Sequence, residues 1–191
     1  TILLPNEDGS LVATTDSTPI IRRLENEFTE RRIVPNDPAL AFINYLLEDF
    51  GDEWVTKYMF HYRWYFKEDA DVAGTILPLV DIGINTPNEM HAKYKEFVSK
   101  RQIDRLWVVG SNDDTANFID LSYKRFLNLM EEHLLNSSFL LGTKPSSSDF
   151  SFYGQLTQLV GFDPTPRKIA YEYSLRTVAW VDVLDDLSGH D

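Results

Sequence analysis

The chain contains 191 residues and carries a formal net charge of −12, with 30 acidic side chains, 18 lysines and arginines, and no cysteine. The lack of cysteine excludes disulfides, thiolate metal sites and a cysteine nucleophile within the chain. The negative charge repels phosphate, so we expect binding neither to nucleic acids nor to anionic membranes. No apolar run reaches the roughly 18 residues of a membrane span and no signal-peptide pattern opens the chain, so we expect a cytoplasmic protein.

A β-hairpin and a helix are predicted at the start of the chain. Aliphatic and β-branched residues at 2–4 and 11–15 flank the turn sequence NEDG, which favours two short strands. An amphipathic helix is expected next, because apolar residues recur at helical spacing at Ile20, Ile21, Leu24 and Phe28. The sequence RRIVPNDP then breaks the pattern and predicts a linker.

From Asp37 onward the signals are helical. Asp37 is predicted to cap a helix that has Pro38 at its first position. The apolar stripe of this helix is long and predicts a bend near Gly51, where the missing side chain weakens the helix. The stripe consists of Leu40, Ile43, Leu47, Phe50, Trp54, Tyr58, His61 and Tyr65.

The middle of the chain alternates between breaks and helices. The sequence TILPLVDIGINTPNE predicts an interrupted stretch, and a polar helix is expected to begin near Thr86 and Pro87. The sequence GSNDD predicts another break, followed by a further helix. The apolar sides of these helices are predicted at Met90, Tyr94, Phe97 and Val98 and at Ile119, Tyr123, Phe126, Met130 and Leu134.

A capping box is predicted at the start of a later helix. Ser146 and Asp149 have the spacing at which the serine accepts from a backbone N–H and the acid bonds back to the cap. Half of a hydrolase site is the alternative, but no histidine lies close to them in sequence. Two shorter helices are expected to close the chain. The sequence thus predicts a mainly α fold with a body of about six or seven helices.

The order of these elements, together with LLGTKPSSSDF and RTVAWVDVL near the end, resembles the glutathione transferase superfamily. In that family a thioredoxin-like domain ends in a β-hairpin and a helix, and an all-helical domain follows. The resemblance implies a partial thioredoxin-like domain at residues 1–33 and a glutathione transferase-type all-helical C-terminal domain at residues 34–191. Residues 69–112 depart from the family, because they are longer than its usual connection between the first two large helices.

The resemblance implies transfer of the thiol of glutathione to a small hydrophobic electrophile. The acid-and-serine pair of the family matches Asp16 and Ser17, so Ser17 is expected to bind the γ-glutamyl carboxylate and Asp16 to attract the α-ammonium. The alternative is a plain helix cap, with Thr18 and Pro19 completing the first turn. The resemblance places the thiol-activating residue before Thr1, so the catalytic residue is unknown. We therefore expect this chain to bind glutathione poorly and to catalyse little or nothing.

The second half of the long helix holds the candidate substrate pocket. In the family this part of the helix lines the site for the hydrophobic co-substrate, which implies that Tyr58, His61 and Tyr62 contact the substrate. The alternative is packing between helices, because aromatic stripes at helical spacing usually belong to a core. From the residues alone, both interpretations stay open.

Two further sets of polar residues bear on binding. Acids near the bend of the long helix are expected either to reach the glutathione ammonium of a neighbouring subunit or to form a solvated face. These acids are Glu48, Asp49, Asp52 and Glu53. The histidines outside the long helix have no ligand spacing, so no metal site is expected. They are His91, His133 and His190.

A homodimer is expected by analogy with the family, and apolar positions along the long helix would permit one. A different class of function is also open. Helical domains of this type serve elsewhere as dimerisation or docking units without chemistry. The chain is therefore either most of a glutathione transferase-like enzyme or a non-catalytic interaction module.

Overall fold

The structure is a computed structural model, and it describes residues 1–6 and 8–188 of the chain. The described residues are mainly helical, apart from a small two-stranded antiparallel sheet at the start. The mainly α class predicted from the sequence is therefore confirmed. Across these residues, no helix is both long enough and apolar enough to cross a membrane.

The hairpin at the start of the chain confirms the two predicted strands, β1 (Ile2–Pro5) and β2 (Leu11–Thr14), which pair antiparallel. Gly9 in the turn has a φ of 79°, a conformation that glycine adopts without the steric cost of a side chain. Leu4 is buried, whereas the other strand residues are exposed or half-buried. The sheet thus contacts the rest of the molecule through a small area.

Helix α1 (Ser17–Glu27) follows the hairpin and is held to the next segment by a buried acid. Glu25 is 8% exposed, and its carboxylate accepts from the N–H of Ile33 at 2.9 Å and of Val34 at 3.4 Å. The first half of the predicted linker is therefore bonded to α1. Phe28 does not continue the apolar stripe as predicted, because α1 ends before it and leaves it 67% exposed.

The long helix predicted after Asp37 is confirmed. Asp37 caps it, because its carboxylate accepts from two N–H groups of the first turn, each at 3.0 Å. Helix α2 (Pro38–Phe50) runs into a π-helical turn (Gly51–Val55) and then into α3 (Thr56–Tyr65). The wider turn occurs where the sequence predicted a bend.

The predicted interruption is confirmed only at residues 83–87, because helix α4 (Lys67–Ile82) continues through Pro78 before the chain breaks. Proline removes one N–H from a helix and kinks it. The burial of Pro78 and the packing of α4 against α5 (Asn88–Ile103) outweigh that local preference. Helix α5 begins where the sequence predicts it. Met90 and Phe97 are 57% and 60% exposed rather than packed as expected, because α5 has no fully buried face.

The later helices agree with those predicted, and short irregular turns separate them. A 3₁₀ turn (Leu106–Val109) precedes the predicted break at GSNDD, and a second π-helical turn (Thr157–Phe162) follows the capping-box helix. The helices are α6 (Ala116–His133), α7 (Ser147–Leu156), α8 (Pro164–Tyr173) and α9 (Leu175–Asp185).

The main hydrophobic core lies where α6, α7 and α9 meet the second half of the long helix. The predicted stripe of α6 is confirmed at Tyr123, Phe126 and Met130, which are all buried. Trp180 of α9 is 4% exposed, and its indole N–H donates to the carbonyl of Ser138 at 3.1 Å. This core positions α3, the helix that carries the candidate pocket residues.

The capping box of α7 is confirmed as a structural feature. The side chain of Ser146 accepts from the N–H of Asp149, whose carboxylate accepts from the N–H of Ser146 at 2.8 Å. The same carboxylate also accepts from the N–H of Leu140 at 2.8 Å. Ser146 is 4% exposed and Asp149 is 0% exposed. Both residues are thus buried and have structural partners.

Gly51 lies against α7. A Cβ atom at this position would lie 2.2 Å from Ser151 Oγ and 2.9 Å from a ring carbon of Phe152. Ser151 Oγ is not free to move away, because it donates to the carbonyl of Glu48 at 2.8 Å. The missing side chain therefore permits the close approach of two helices, in addition to the predicted bend.

We predict that Gly51→Ala lowers the free energy of unfolding by about 1–3 kcal/mol, because the new methyl group overpacks the contact with α7. The control is Gly154→Ala in α7, where a Cβ would meet nothing within 4 Å. At that position alanine should stabilise the helix by about 0.5–1 kcal/mol. Urea denaturation of both variants measures the difference, and equal effects at the two glycines would contradict the packing argument.

Candidate functional site

The start of α1 has an unusual backbone. Asp16 has φ 75° and ψ 125°, and it is the one residue other than glycine with a positive φ in the part of the chain that the structure describes. Its carboxylate accepts from the N–H of Thr18 at 3.1 Å. Asp16 thus caps the helix, as one of the two interpretations predicted. Its backbone conformation is sterically unfavourable for a residue that has a side chain.

Ser17 remains accessible at this helix start. It is exposed, and neither its hydroxyl nor its N–H has a hydrogen-bond partner among the described residues. Pro19 in the same turn has no N–H to offer. Helix starts carry unpaired N–H groups and a partial positive charge, which favour an anion. Ser17 therefore presents two free donors at a position that attracts negative charge.

Thr18, the next residue, joins the helix start to the helical body. Its hydroxyl donates to Glu48 of α2 at 2.8 Å, and the other oxygen of Glu48 accepts from the hydroxyl of Ser147 at 2.6 Å. Glu48 is 7% exposed and has no cationic partner among the described residues. A buried carboxylate is costly unless it is hydrogen-bonded, so these hydroxyls are essential partners.

The acids expected near the bend of the long helix do not behave as one group. Glu48 is buried, Asp52 is half-buried, and Asp49 and Glu53 are exposed. Burial raises the pKa of the Asp52 carboxyl, and the negative charges of nearby acids raise it further. A hydrogen bond from Ser151 acts in the opposite direction and lowers this pKa. Asp16 is one of these nearby acids. The side chain of Asp16 therefore lies near other acids, and on that side of the helix start an ammonium group is favoured.

A cavity of about 910 Å³ opens between α2, α6 and α7. Tyr58 lines it, as the predicted substrate pocket requires. Burial raises the pKa of Tyr58, so its phenol stays protonated and can donate a hydrogen bond at neutral pH. The wall is mostly apolar with polar groups between, and consists of Leu47, Phe50, Tyr58, Ser122, Arg125, Phe126, Leu129, Met130, Glu132, His133, Asn136, Leu140 and Phe152.

His61 and Tyr62 lie apart from this cavity. Both are 0% exposed, as the core alternative expects. The phenol of Tyr62 donates to Asp120 at 2.8 Å, and burial raises the pKa of Tyr62. His61 Nδ1 lies 2.7 Å from Ser111 Oγ, its ring stacks on Tyr65 at 4.8 Å, and its Nε2 is buried without a partner. The structure thus brings only Tyr58 of the three predicted residues to the cavity.

The contact between Thr18 and Glu48 was not predicted from the sequence. Thr18 was expected only to complete a first turn, and Glu48 only to belong to an acidic group. Their contact joins positions 30 residues apart, which no local spacing rule detects. The one available signal was the four-residue spacing of Asn44 and Glu48, which places both side chains on the same face of α2.

Metal binding has no support in residues 1–6 and 8–188, where no group of three or more histidines and acids could hold an ion. His91 of α5 bonds to α4, since its Nε2 lies 2.7 Å from the carbonyl of Thr75, which can only accept. His133 Nε2 lies 3.1 Å from the carbonyl of Phe139. His190 lies outside the described residues.

No protein-family model matches this chain, and a search of curated proteins finds no significant match. The resemblance to glutathione transferases therefore stays a prediction that rests on the residues quoted above.

We predict that His61 makes the fold sensitive to acid. Burial lowers the pKa of His61 from 6.5 to about 4. Between these pH values the unfolded chain binds a proton at His61 that the folded chain does not bind. The free energy of unfolding therefore decreases as the pH falls from about 6.5 towards 4. The loss attributable to His61 should approach about 3 kcal/mol.

Urea denaturation at several pH values measures this loss. His61→Gln keeps a hydrogen-bonding side chain beside Ser111 but does not titrate, so its stability should fall less steeply over the same interval. His91→Gln is the control and should keep the wild-type slope. Parallel curves for wild type and His61→Gln would contradict the assignment.

Proposed function

We propose that this chain is a glutathione transferase-like protein. In this proposal the start of α1 binds the γ-glutamyl end of glutathione, and the thiolate attacks a small hydrophobic electrophile. A carbon–sulfur bond forms, and in a substitution the leaving group departs with the bonding electrons. The observation that carries the proposal is Ser17, exposed at a helix start with a free N–H and a free hydroxyl.

The chemistry of the helix start suits a carboxylate. Ser17 would donate its hydroxyl and its N–H, and the partial positive charge of α1 would add to the attraction. Asp16 would attract the α-ammonium of the same γ-glutamyl group. Its φ of 75° supports a binding role, because residues in sparsely populated backbone conformations cluster at functional sites.

The contact between Thr18 and Glu48 would keep this site in place. Because the hydroxyl of Thr18 bonds a buried acid at 2.8 Å, the first turn of α1 cannot shift freely relative to α2. Preorganised donors bind a ligand at a smaller entropic cost. Glu48 would thus act through the backbone geometry of α1 and not by touching glutathione.

The electrophile would occupy the cavity beside Tyr58. Its mostly apolar wall and a volume of about 910 Å³ suit a small hydrophobic molecule. The phenol of Tyr58 would orient the substrate by a hydrogen bond.

The second candidate function is a non-catalytic dimerisation or interaction module. Apolar side chains exposed along α2 favour it and also suit the expected homodimer, because an exposed apolar patch marks an interaction surface. Phe42 is 62% exposed, and its neighbours Leu40, Ile43, Tyr45 and Leu46 are each more than 40% exposed. An interaction module would dimerise without binding glutathione, which separates the two candidates.

We predict weak glutathione binding that depends on Ser17. Titration with millimolar glutathione, followed by the amide resonances of the ¹⁵N-labelled chain, should perturb Asp16, Ser17 and Thr18. Ser17→Ala removes one donor and should weaken the binding about tenfold. The control Ser188→Ala removes an exposed hydroxyl near the other end of the chain and should change nothing.

Two outcomes would contradict the proposal. If glutathione leaves the amides at the start of α1 unperturbed, the ligand does not bind there. If Ser17→Ala and wild type bind equally, the free donors of Ser17 are not the contact. A dimer seen by light scattering alongside either outcome would favour the interaction module.

A further inference from the structure

A small cleft of about 300 Å³ lies between the linker at residues 32–36 and the loop at residues 141–146. It is separate from the cavity beside Tyr58, with which it shares no wall residue. Its wall consists of Arg32, Ile33, Val34, Pro35, Asn36, Leu141, Thr143, Lys144, Pro145 and Ser146.

The charge of this cleft is opposite to that of the molecule. Two cationic side chains, Arg32 and Lys144, line it, and its wall includes no aspartate or glutamate among the residues that the structure describes. In a chain with 30 acids against 18 lysines and arginines, a concave site without an acid is an exception. The side chains that line the cleft therefore carry positive charge in a chain whose net charge is negative, and clefts concentrate such fields.

Part of the hydrogen-bonding capacity of the Arg32 guanidinium is unused among the described residues. Its Nε bonds Glu25 at 3.2 Å, its Nη1 makes only a long contact of 3.4 Å to Asn36, and its Nη2 has no partner among the described residues. Glu25 does not line the cleft. Its charge is also shared with the N–H groups of Ile33 and Val34, so it offsets Arg32 only in part.

Lys144 and Thr143 supply the opposite wall. Lys144 is exposed, and it has no ion-pair or hydrogen-bond partner among the residues that the structure describes. The hydroxyl of Thr143 is likewise unbonded there. The cleft thus combines a partly free guanidinium, a free ammonium and a free hydroxyl.

We propose that this cleft binds the phosphate group of a small phosphorylated molecule. A phosphate monoester carries nearly two negative charges at neutral pH, whereas a carboxylate carries one. Two cations therefore match the charge of the phosphate better. The free edge of a guanidinium fits phosphate oxygens in a planar contact, and an ammonium bonds them as a point charge. The volume of about 300 Å³ is sufficient for a phosphate group with a small substituent. This proposal does not depend on glutathione binding.

Phosphate in this cleft would bridge two segments that are distant in sequence. Arg32 belongs to the segment that joins α1 to α2, and Lys144 belongs to the loop before α7. The carbonyl of Ile33 already accepts from the N–H of Ser147 at 2.9 Å at this junction. A bound phosphate would therefore strengthen the attachment of the first 27 residues to the helical body.

The test is a titration of the ¹⁵N-labelled chain with inorganic phosphate, at an ionic strength matched with sodium chloride. The expected result is a saturable perturbation of amides in residues 32–36 and 141–146. Lys144→Gln should weaken the binding about tenfold, because it removes a charge-assisted hydrogen bond. The control Lys93→Gln removes an exposed lysine that lies outside the cleft and pairs with Glu89, and it should bind as wild type does.

The same spectra show whether each variant is folded, since Lys144 is an exposed loop residue. No saturation, perturbations spread over the surface, or equal affinity for wild type and Lys144→Gln would each overturn the proposal. Ser17→Ala should bind phosphate as wild type does. This last variant separates the cleft from the proposed glutathione site, so either proposal can fail while the other stands.

Discussion

The N-terminus of α7 is the point on which the rest of the structure depends. A helix start leaves N–H groups without partners inside the helix. In α7 the N–H of Ser147 donates to the carbonyl of Ile33 at 2.9 Å, and the N–H of Ser148 donates to Asn44 at 3.2 Å. The third N–H is bonded by the side chain of Ser146. The helix start thereby ties together the linker and α2, and it has no donor left for a ligand.

The start of α1 contrasts with this arrangement and depends on it. The hydroxyl of Ser147 accepts from Asn44 at 2.7 Å and donates to Glu48, which in turn accepts from Thr18. A chain of hydrogen bonds therefore runs from the buried helix start to the exposed one. Each bond satisfies a group whose burial would otherwise be costly. Ser17 is left out of the network, and for this reason it is available to a ligand.

Part of the structure could be predicted from the sequence, because it depends on contacts between residues that are close along the chain. The caps at Asp37 and at Ser146 follow from side chains that bond a backbone only two or three residues away. The continuation of α4 through Pro78 was not predictable, because packing against α5 outweighs a local preference there. Periodicity placed His61 on an apolar face of the long helix, but it does not say whether a core or a ligand covers that face. The partners of Glu48 are likewise set by tertiary contacts.

The most direct test of this account is the free energy of unfolding of Asn44→Leu, measured by urea denaturation. Asn44 is 1% exposed, and leucine nearly matches its shape while removing both bonds to α7. A buried N–H at Ser148 would lose its partner, so we predict a loss of about 2–4 kcal/mol. Asn128→Leu on the exposed face of α6 should change stability by less than about 0.5 kcal/mol. An equally small effect at Asn44 would contradict the account.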